Sequence, residues 1–504
     1  MISRETIKAG NSKQRFQAEI DKLLMIRPEK NNAFSLDDIG NARLFYRLYG
    51  DVCKFDNDSG CWYVYRANSH IWEIDKNGAA VAQLAQQMRD ALLMYITELE
   101  DFPNKREFEK NVFRLGSHKN RYNVLLDAQA LCAVNHSAFN PNPDLIGCKN
   151  GVIDLKTLQL LEPDPVYMLT KSLNAEYHPY ADDRSERWES FISDIMSGDP
   201  YKIEYLQRIA GYSLAPTNEQ EKAFILYGAT TRNGKSTFLE SVGAVLGDYA
   251  ETIRPESLAA KRGKTSPQAS PDLAKLDGIR FLKCAEPEKS MVINNEVFKS
   301  LTGGEPITAR HLYQGERTFI TRFKLYMNTN YLPLINDQAI FDSGRLQVLT
   351  FDRHFTEQEQ DKTLKQKFRQ KQNRAAILAW IIQGYKQYQE KGLAAPVSVQ
   401  LATEQYQRKS DKIGQFMEEC FIKDLDNMTP AKDAYRLYRG WCAGNGYGTE
   451  GKRTFLQYLR KAGLLEERAY SSQIGGSVPN VIPGYVLDPE AVKNYGTDPA
   501  APPG

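Results

Sequence analysis

The chain has 504 residues, of which 41% are hydrophobic and 25% charged, and its formal net charge is +2. This length and composition are typical of a globular protein with more than one domain, and the near-zero charge argues against a wholly basic nucleic-acid coat. No apolar run approaches the length of a membrane span, so we expect no membrane partner.

The N-terminal residues and the cysteines bear on targeting and on the redox environment. The opening residues MISRETIKAGNSKQRFQ have no apolar core, so we expect no secretory signal and a cytoplasmic location. The seven cysteines are scattered and no CxxC pair occurs. We therefore expect reduced thiols, with neither a disulfide framework nor a zinc site.

Apolar periodicity predicts short elements in the first 222 residues. Residues 11–26 show a helical pattern that Pro28 ends, and its apolar face contains Phe16, Ile20, Leu23 and Leu24. CWYVYRANSHIWEID at 61–75 alternates like two strands around a turn, and VAQLAQQMRDALLMYI at 81–96 is helical. NGVIDLKTLQLL predicts a β unit, and two helices follow it.

The stretch FILYGATTRNGKSTFLESVGAVLGDYA, residues 224–250, predicts a strand, a loop and a helix. FILY is a short apolar run typical of a buried strand, and Gly247 falls where a helix would end. In this geometry free backbone N–H groups and the helix dipole converge on an anion. Lys235 would reach the β- and γ-phosphates of ATP, and Ser236 would hold Mg²⁺.

This loop departs from the usual GxxxxGKS/T spacing. Gly228 and Gly234 enclose five residues, ATTRN, so the loop is one residue longer, although the NGKST core is intact. The predicted nucleotide-binding residues are Gly228, Arg232, Asn233, Gly234, Lys235, Ser236 and Thr237.

Polar residues follow or precede three further apolar strands. GIRFLKCAEPE reads as a strand ending in Glu286, where a carboxylate can organise Mg²⁺ and the attacking water. FKLYMNTNYLP reads as a strand ending in Asn330, whose amide can orient water. Arg345 precedes the strand in FDSGRLQVLTFDRHF, and an arginine from a neighbouring subunit could stabilise transition-state charge. A surface carboxylate, a turn-forming amide and a structural arginine are the alternatives.

Between these strands, ITARHLY and RTFITR are joined by QGE, which predicts a hairpin. Basic side chains crowd this insert: Lys299, Arg310, His311 and Arg317. On a hairpin that projects into a ring they would grip a phosphate backbone, whereas the alternative is charge decorating an exposed hairpin.

The C-terminal part begins after a candidate linker at 392–400. Thr429 is expected to be an N-cap and Pro430 the first residue of the helix that follows. KRTFLQYLRKAG predicts a further helix, whose polar face is expected to bind duplex DNA or a loading partner through Lys452, Arg453, Gln457, Arg460 and Lys461.

The order NGKST, AEPE, KSLTGGEPITARHLY, MNTN and SGRLQVLTFDRHF resembles the superfamily 3 helicases, closest to the phage, plasmid and poxvirus-type primase–helicases. SLDDIGNARLFYRLYG and CKNGVIDLKT resemble the domain that precedes the ATPase core in that family. ATEQYQRKSDKIGQFMEECF and YRLYRGWCAGNGY resemble its C-terminal winged-helix region. The resemblance covers about residues 36–487.

The resemblance implies an α/β AAA+ P-loop ATPase core that assembles as a ring, usually a hexamer, and moves 3′ to 5′ on single-stranded DNA. It implies a catalytic role for Lys235, Glu286, Asn330 and Arg345, Mg²⁺ binding by Ser236 and Glu286, and DNA contacts by the hairpin region. Ala285 stands where the family often has a second acid, so Glu288 is an alternative for part of the role of Glu286.

The implied organisation combines this core with an α+β N-terminal domain and a winged-helix-like C-terminal domain. The expected boundaries are a helical extension at 1–35, the N-terminal domain at 36–180, a helical collar at 181–222, the core at 223–392, the winged-helix-like domain at 398–490 and a disordered tail at 491–504.

The sequence thus predicts an ATP- and Mg²⁺-dependent DNA helicase that replicates a phage or mobile element, in the host cytoplasm if a phage encodes it. Its expected partners are single-stranded and forked DNA, its own copies, and a separate primase or origin-binding protein. Residues 1–180 contain no paired-carboxylate strand, so we predict no primase activity. The alternatives are an ATP-dependent origin-binding switch that does not unwind DNA and a non-helicase nucleotide enzyme.

Overall fold

A computed structural model describes residues 15–179, 184–260, 271–288, 291–310, 316–335, 337–471 and 476–496. The protein is of mixed α/β class, and its largest sheet is five-stranded and parallel. Across these ranges, no helix is both long enough and apolar enough to cross a membrane.

The N-terminal part packs helices against a four-stranded sheet in the order β3-β2-β1-β4. Its strands are β1 Cys53–Asp56, β2 Cys61–Arg66, β3 Ile71–Asp75 and β4 Ala133–Val134. Its helices are Gln17–Ile26, Asp38–Tyr49, Ala79–Glu98, Lys105–Arg114 and His118–Cys132. The strand pair predicted at 61–75 and the helix predicted at 81–96 are confirmed.

One predicted core residue of this part is wrong. Leu24 is 43% exposed, whereas Phe16, Ile20 and Leu23 are buried. Successive helical residues are rotated by about 100°, so Leu24 turns away from the stripe that its predecessor completes.

A small antiparallel sheet follows, formed by β5 Leu145–Cys148, β6 Gly151–Asp154 and β7 Gln159–Leu161. It shares one hydrophobic core with the two helices predicted after it, which are observed at Glu186–Ile195 and Pro200–Tyr212. The helix Lys235–Leu246, which follows the candidate phosphate loop, belongs to the same core. The buried Arg280 guanidinium strengthens this junction, because it donates to the carbonyl oxygens of Leu214, Ala215 and Pro143. The small sheet is therefore anchored to the central sheet through a charged side chain as well as by packing.

The parallel sheet has the order β14-β8-β13-β10-β9. Its strands are β8 Ala223–Tyr227, β9 Ala250–Ile253, β10 Phe281–Cys284, β13 Lys324–Thr329 and β14 Leu346–Thr350. The central strands β8 and β13 are mostly buried, as expected for strands covered on both faces, whereas the edge strand β9 is polar in part. All neighbouring pairs are parallel, so the carboxyl ends of the strands lie along one edge.

The remaining elements of this part include the predicted hairpin. Its strands are β11 Pro306–Arg310 and β12 Glu316–Ile320, paired antiparallel, so the predicted strands are confirmed, while the connecting residues 311–315 lie outside the described ranges. The helices are Lys235–Leu246, Pro271–Ala274, Asn295–Thr302, Ala339–Asp342, Leu364–Phe368 and Lys371–Lys391.

The C-terminal part packs helices around an antiparallel sheet in the order β15-β17-β16. Its elements are Lys412–Cys420, β15 Phe421–Pro430, Ala431–Gly444, Lys452–Lys461, β16 Glu466–Ser471, β17 Gly476–Leu487 and Pro489–Tyr495. A further helix, Val397–Ser410, begins inside the predicted linker. It is tied to the parallel sheet, because the Val348 amide of β14 donates to the Thr403 hydroxyl at 3.0 Å.

Two predictions for this part are wrong. Thr429 and Pro430 belong to β15, and the helix begins at Ala431. Sheet pairing wins over capping here, since Thr429 pairs with Ile482 and its hydroxyl donates to the Tyr485 carbonyl. The tail predicted to be disordered from residue 491 is helical over Pro489–Tyr495, and residues 497–504 lie outside the described ranges.

Candidate active site

The phosphate loop joins the carboxyl end of β8 to the helix Lys235–Leu246, as predicted. Gly234 precedes that helix with φ 86°, a left-handed conformation that favours glycine. Gly228 is needed for space, because a Cβ atom there would lie 2.1 Å from Asn233 Nδ2 and 2.8 Å from Lys235 Nζ. The loop is thus built around a lysine side chain that lies against glycine backbone.

The extra loop residue is accommodated by the segment that follows β14. Arg232 takes a left-handed φ of 58°, and its carbonyl accepts a hydrogen bond from the Phe355 amide at 2.9 Å. His354 Nδ1 lies 2.9 Å from the Thr231 carbonyl. Within the loop, Asn233 Nδ2 donates to the Thr230 carbonyl. The longer loop is therefore held by specific contacts rather than left loose.

Lys235 is a buried cation whose partners are neutral. It is 4% exposed, and its ammonium donates to Asn233 Oδ1 at 3.0 Å and to Asn330 Oδ1 at 2.8 Å. In the described part of the chain, no carboxylate oxygen lies within 4.0 Å of its Nζ. Burial lowers the pKa of Lys235 to about 8, and the negative charge of Glu286 opposes that shift. A bound anion would complete this site electrostatically.

Two further predicted catalytic residues meet Lys235 at the same sheet edge. The backbone N–H of Asn330 donates to Glu286 Oε1 at 3.2 Å, and its side-chain oxygen accepts from Lys235. The three residues therefore form a continuous chain of hydrogen bonds. Strand order explains this, since β13 lies between β8 and β10 and all three are parallel. The expected strand end at Glu286 is wrong in detail: β10 ends at Cys284, and the exposed Glu286 stands in the loop beyond it.

Sequence reasoning missed Asn328. Its Nδ2 donates to Ser236 Oγ at 3.1 Å, while its Oδ1 is buried with no hydrogen-bond partner among the described residues. The signal was available, because Asn328 lies near the end of a predicted strand, two residues before the predicted Asn330. Oxygen atoms of Ser236, Asn328 and Glu286 are the kind of group that Mg²⁺ prefers, and an unpartnered acceptor fits such a cation. The donor set is therefore compatible with the expected metal.

Arg345 lies at the other end of the sheet. Its carbonyl accepts from the Ala223 amide at 2.7 Å, which places it beside the first residue of β8, whereas the loop follows the last. The guanidinium pairs with the Glu221 carboxylate at 2.5 Å and donates to the Thr302 hydroxyl at 3.1 Å and the Lys299 carbonyl at 3.3 Å. The structure does not bring Arg345 to the phosphate loop of its own chain.

The four predicted DNA contacts are also separated. Lys299 lies on the helix Asn295–Thr302, and its ammonium pairs with Asp337 Oδ2 at 2.5 Å. Arg310 and Arg317 lie on the two hairpin strands near the connection, where Arg317 is opposite Ala309. The side chains of Arg310 and Arg317, and the whole of His311, lie outside the part of the chain that the structure describes. Lys299 therefore belongs to the helix beneath the hairpin, beside the Arg345 contacts.

The basic helix of the C-terminal part shows the expected exposed face. Lys452, Arg453, Gln457, Arg460 and Lys461 are all exposed, while Phe455 and Leu459 are buried beneath them. Lys461 pairs with Asp342 at 2.9 Å, three residues before Arg345. This helix thus touches the segment that carries the candidate finger.

Comparisons with protein families match three stretches of the chain. Residues 42–197 match the family described as D5 N terminal like, and residues 408–472 match the family described as poxvirus D5 protein-like. Residues 226–345, from the phosphate loop to Arg345, match a family of unknown function. The matched stretches occupy the N-terminal part, the C-terminal part and the sheet that carries the candidate site.

Several viral proteins are similar in sequence. A "putative helicase" of Acanthamoeba polyphaga mimivirus is 27% identical over 451 residues, covering 81% of this chain and 46% of that protein. A "putative helicase" of Invertebrate iridescent virus 3 is 26% identical over 363 residues, covering 65% and 38%. A "putative primase" of African swine fever virus is 20% identical over 240 residues, covering 46% and 24%. The chain spans less than half the length of these relatives.

Solved structures give a distant match. The apo structure of the NrS-1 C-terminal region has a TM-score of 0.49 at 12% identity, covering 89% of this chain and 99% of that one. The family matches and the named viral relatives agree with each other along the chain. Two regions of the chain thus match D5-type family models, and its named relatives are viral putative helicases and a putative primase.

Proposed function

We propose that this protein is an ATP-driven DNA helicase that acts in the replication of a virus, a phage or another mobile element. The observation that carries the proposal is Lys235, a buried cation beside a glycine-containing loop. Among the residues that the structure describes, it donates only to amide oxygens. The names of the viral relatives favour helicase chemistry over another use of nucleotide.

The nucleotide chemistry follows from the groups at the carboxyl edge of the sheet. Lys235 would bind the β- and γ-phosphates, and Ser236, Asn328 and Glu286 would hold the cation. Held by these residues, Mg²⁺ would supply positive charge that offsets the charge of the phosphates. The Asn330 side chain would orient water against the γ-phosphate once the phosphate replaces it as the partner of Lys235. Glu286, hydrogen-bonded to the Asn330 backbone, would accept the proton of that water.

The second half of the proposed site comes from a neighbouring copy. Arg345 lies at the amino end of β14, about five strand residues, or roughly 17 Å, from the phosphate-loop edge. A side chain cannot span that distance within one subunit, but it can face the loop of the next subunit in a head-to-tail ring. We therefore propose an AAA+ core that hydrolyses ATP at the interfaces of a ring, with a hexamer as the expected size.

The proposed DNA contacts lie on two surfaces. The hairpin β11–β12 would carry Arg310, His311 and Arg317 into the ring channel, where they would hold DNA phosphates. The winged-helix-like C-terminal part would present its basic helix, Lys452–Lys461, to duplex DNA or to a loading partner. Movement from 3′ to 5′ and a separate primase partner are parts of the same proposal.

The test is DNA-stimulated ATP hydrolysis and displacement of a strand from a 3′-tailed duplex, with wild type beside Lys235→Ala. Lys156→Ala is the matched control, because Lys156 is an exposed lysine that pairs with Asp144 and is distant in sequence from the loop. The proposal predicts both activities for wild type and the control, and neither for Lys235→Ala. Hydrolysis without strand displacement would instead favour an origin-binding switch, and hydrolysis by Lys235→Ala would contradict the assigned site.

A further inference from the structure

A large cleft separates the N-terminal part from the base of the hairpin. Its volume is about 1180 Å³, above the range of roughly 300–1,000 Å³ that is usual for small-ligand pockets. One wall comes from the turn after β1 and the segment 136–141, and the other from residues 274–278 and the hairpin strands. The cleft is therefore suited to an extended occupant that continues along the hairpin.

Three cations line this cleft, and among the described residues only Lys275 has a carboxylate partner, Asp272 at 3.9 Å. Lys171, Lys275 and Arg322 line it. Within the described ranges, no carboxylate oxygen lies within 4.0 Å of Lys171 Nζ or of the Arg322 guanidinium. Lys171 is held in place by Gly278, where a Cβ atom would lie 2.7 Å from Lys171 Cε and where φ is 70°. Burial lowers the pKa of Lys171, and the charges of Asp277, Asp248 and Glu251 offset only part of that effect.

The acids of the cleft are engaged elsewhere. Asp58 Oδ2 accepts from the His136 backbone N–H at 2.8 Å, and Asp277 Oδ2 lies 3.9 Å from His136 Nε2. His136 in turn contacts the buried Asp56 at 2.9 Å through Nδ1. These contacts turn the acidic groups toward the histidine. Three Lys and Arg side chains line the cleft against two acids, so its walls carry a net positive charge, which would attract an anion.

Aromatic rings complete the lining. Tyr63 and Phe139 lie with ring centroids 4.3 Å apart on the N-terminal wall, and Phe319 faces the cleft from the hairpin. Cations that hold phosphates beside aromatic faces that contact bases are the combination found where proteins bind single strands without sequence preference. No glycine-rich turn followed by a helix N-terminus is among the cleft-lining residues in the described chain, so the cleft lacks the form of a second mononucleotide site.

We infer that this cleft binds single-stranded DNA, with Lys171 and Arg322 on its phosphates, and extends the DNA path from the hairpin base onto the N-terminal part. The inference rests on the proposed function for the identity of the polymer. It adds a DNA-binding surface that is separate from the hairpin connection and from the C-terminal basic helix.

The test measures binding of a fluorescein-labelled oligo(dT) to the full chain without ATP, across a range of salt. The variant is Lys171→Gln with Arg322→Gln, and the control is Lys76→Gln with Lys119→Gln, which removes the same charge from exposed positions. Each lost phosphate contact reduces the salt slope by about 0.7, so the double variant should lose roughly 1.4 and bind about 10–30-fold more weakly at 0.1 M salt. The control should bind like wild type.

A gain-of-binding variant protects the test from misfolding. Asp277 is 46% exposed, and Asp277→Asn removes a negative charge from the cleft, so it should bind the oligonucleotide more tightly than wild type. Equal salt slopes for the cleft and control variants would overturn the inference while leaving the helicase proposal standing. A reduced slope in a protein that fails to hydrolyse ATP would uphold the cleft and overturn the motor. An oligonucleotide that does not bind wild type would overturn both.

Discussion

The two ends of the parallel sheet hold their cations in opposite ways. At the carboxyl end, Lys235 is buried and, within the described ranges, donates only to amide oxygens. At the amino end, Arg345 is paired with the Glu221 carboxylate and with a hydroxyl. A buried ammonium without a counter-charge is stabilised when an anion binds beside it. A guanidinium that is already paired with a carboxylate is instead held in one position. We propose that the first end receives a phosphate within the chain and that the second supplies an arginine to a neighbouring copy.

The largest effect is expected from removing the arginine at the amino end of the sheet. Arg345→Ala should lower ATP hydrolysis by about 10³–10⁵-fold, the contribution of an arginine finger, and leave nucleotide affinity unchanged, because the guanidinium is remote from its own loop. Steady-state hydrolysis and a nucleotide-binding titration on the same preparation measure the two effects. Full hydrolysis by this variant would remove Arg345 from the site.

The next effect breaks the carboxyl end by filling it. Gly228→Ala places a Cβ atom 2.1 Å from Asn233 Nδ2 and 2.8 Å from Lys235 Nζ, so both side chains must shift. We expect ATP to bind about 10–100-fold more weakly, a cost of roughly 1.4–2.8 kcal/mol. Gly448→Ala is the matched control, since a Cβ atom there meets nothing within 4 Å. Unchanged affinity in Gly228→Ala would mean that the loop is not shaped by the lysine.

A pH titration sharpens the same end. Burial lowers the pKa of Lys235 to about 8, so the ammonium is charged below that pH and increasingly neutral above it. A phosphate needs the charged form and would raise the pKa, so nucleotide affinity should fall by up to about tenfold per pH unit above 8. Binding titrations from pH 7.5 to 9.5 check this, and Lys235→Ala should lose the dependence. A pH-independent affinity in wild type would show that Lys235 does not bear the phosphate charge.

The smallest expected effect concerns the anchoring of the finger. Glu221→Gln keeps the shape of the side chain but removes the charged partner of Arg345, so the guanidinium should be held less firmly. We expect kcat to fall by about 3–10-fold with KM unchanged, because nucleotide binding does not use this end. Glu219→Gln is the control, since Glu219 accepts from Thr217 instead. A change in KM alone would place Glu221 on the nucleotide side.

Local patterns predicted the elements of the site because each depends on neighbouring residues. The apolar runs of β8 and β13 and the amphipathic helix after the loop were readable, and parallel pairing then brings Lys235, Glu286 and Asn330 to one edge. The ion pair of Arg345 with Glu221 was not readable, because it joins residues more than a hundred positions apart. The support of the long loop by His354 and Phe355 was hidden for the same reason.

In two of the errors a more specific interaction outweighs composition. Thr429 and Pro430 have the composition of a helix start, yet both are used by β15, because pairing with β17 satisfies the Thr429 groups. A similar override occurs near the C-terminus, where Pro489 follows the cap residue Asp488 and starts a helix. Tertiary pairing and local caps outweighed composition in both places.

The most direct test of the two-ended account mixes two inactive proteins. Lys235→Ala keeps its finger and Arg345→Ala keeps its loop, so in a random mixed ring about a quarter of the interfaces would combine an intact loop with an intact arginine. The account predicts that ATP hydrolysis of an equal mixture rises to about a quarter of the wild-type rate, whereas each variant alone stays inactive. A mixture that stays as inactive as its components would contradict a site shared between subunits.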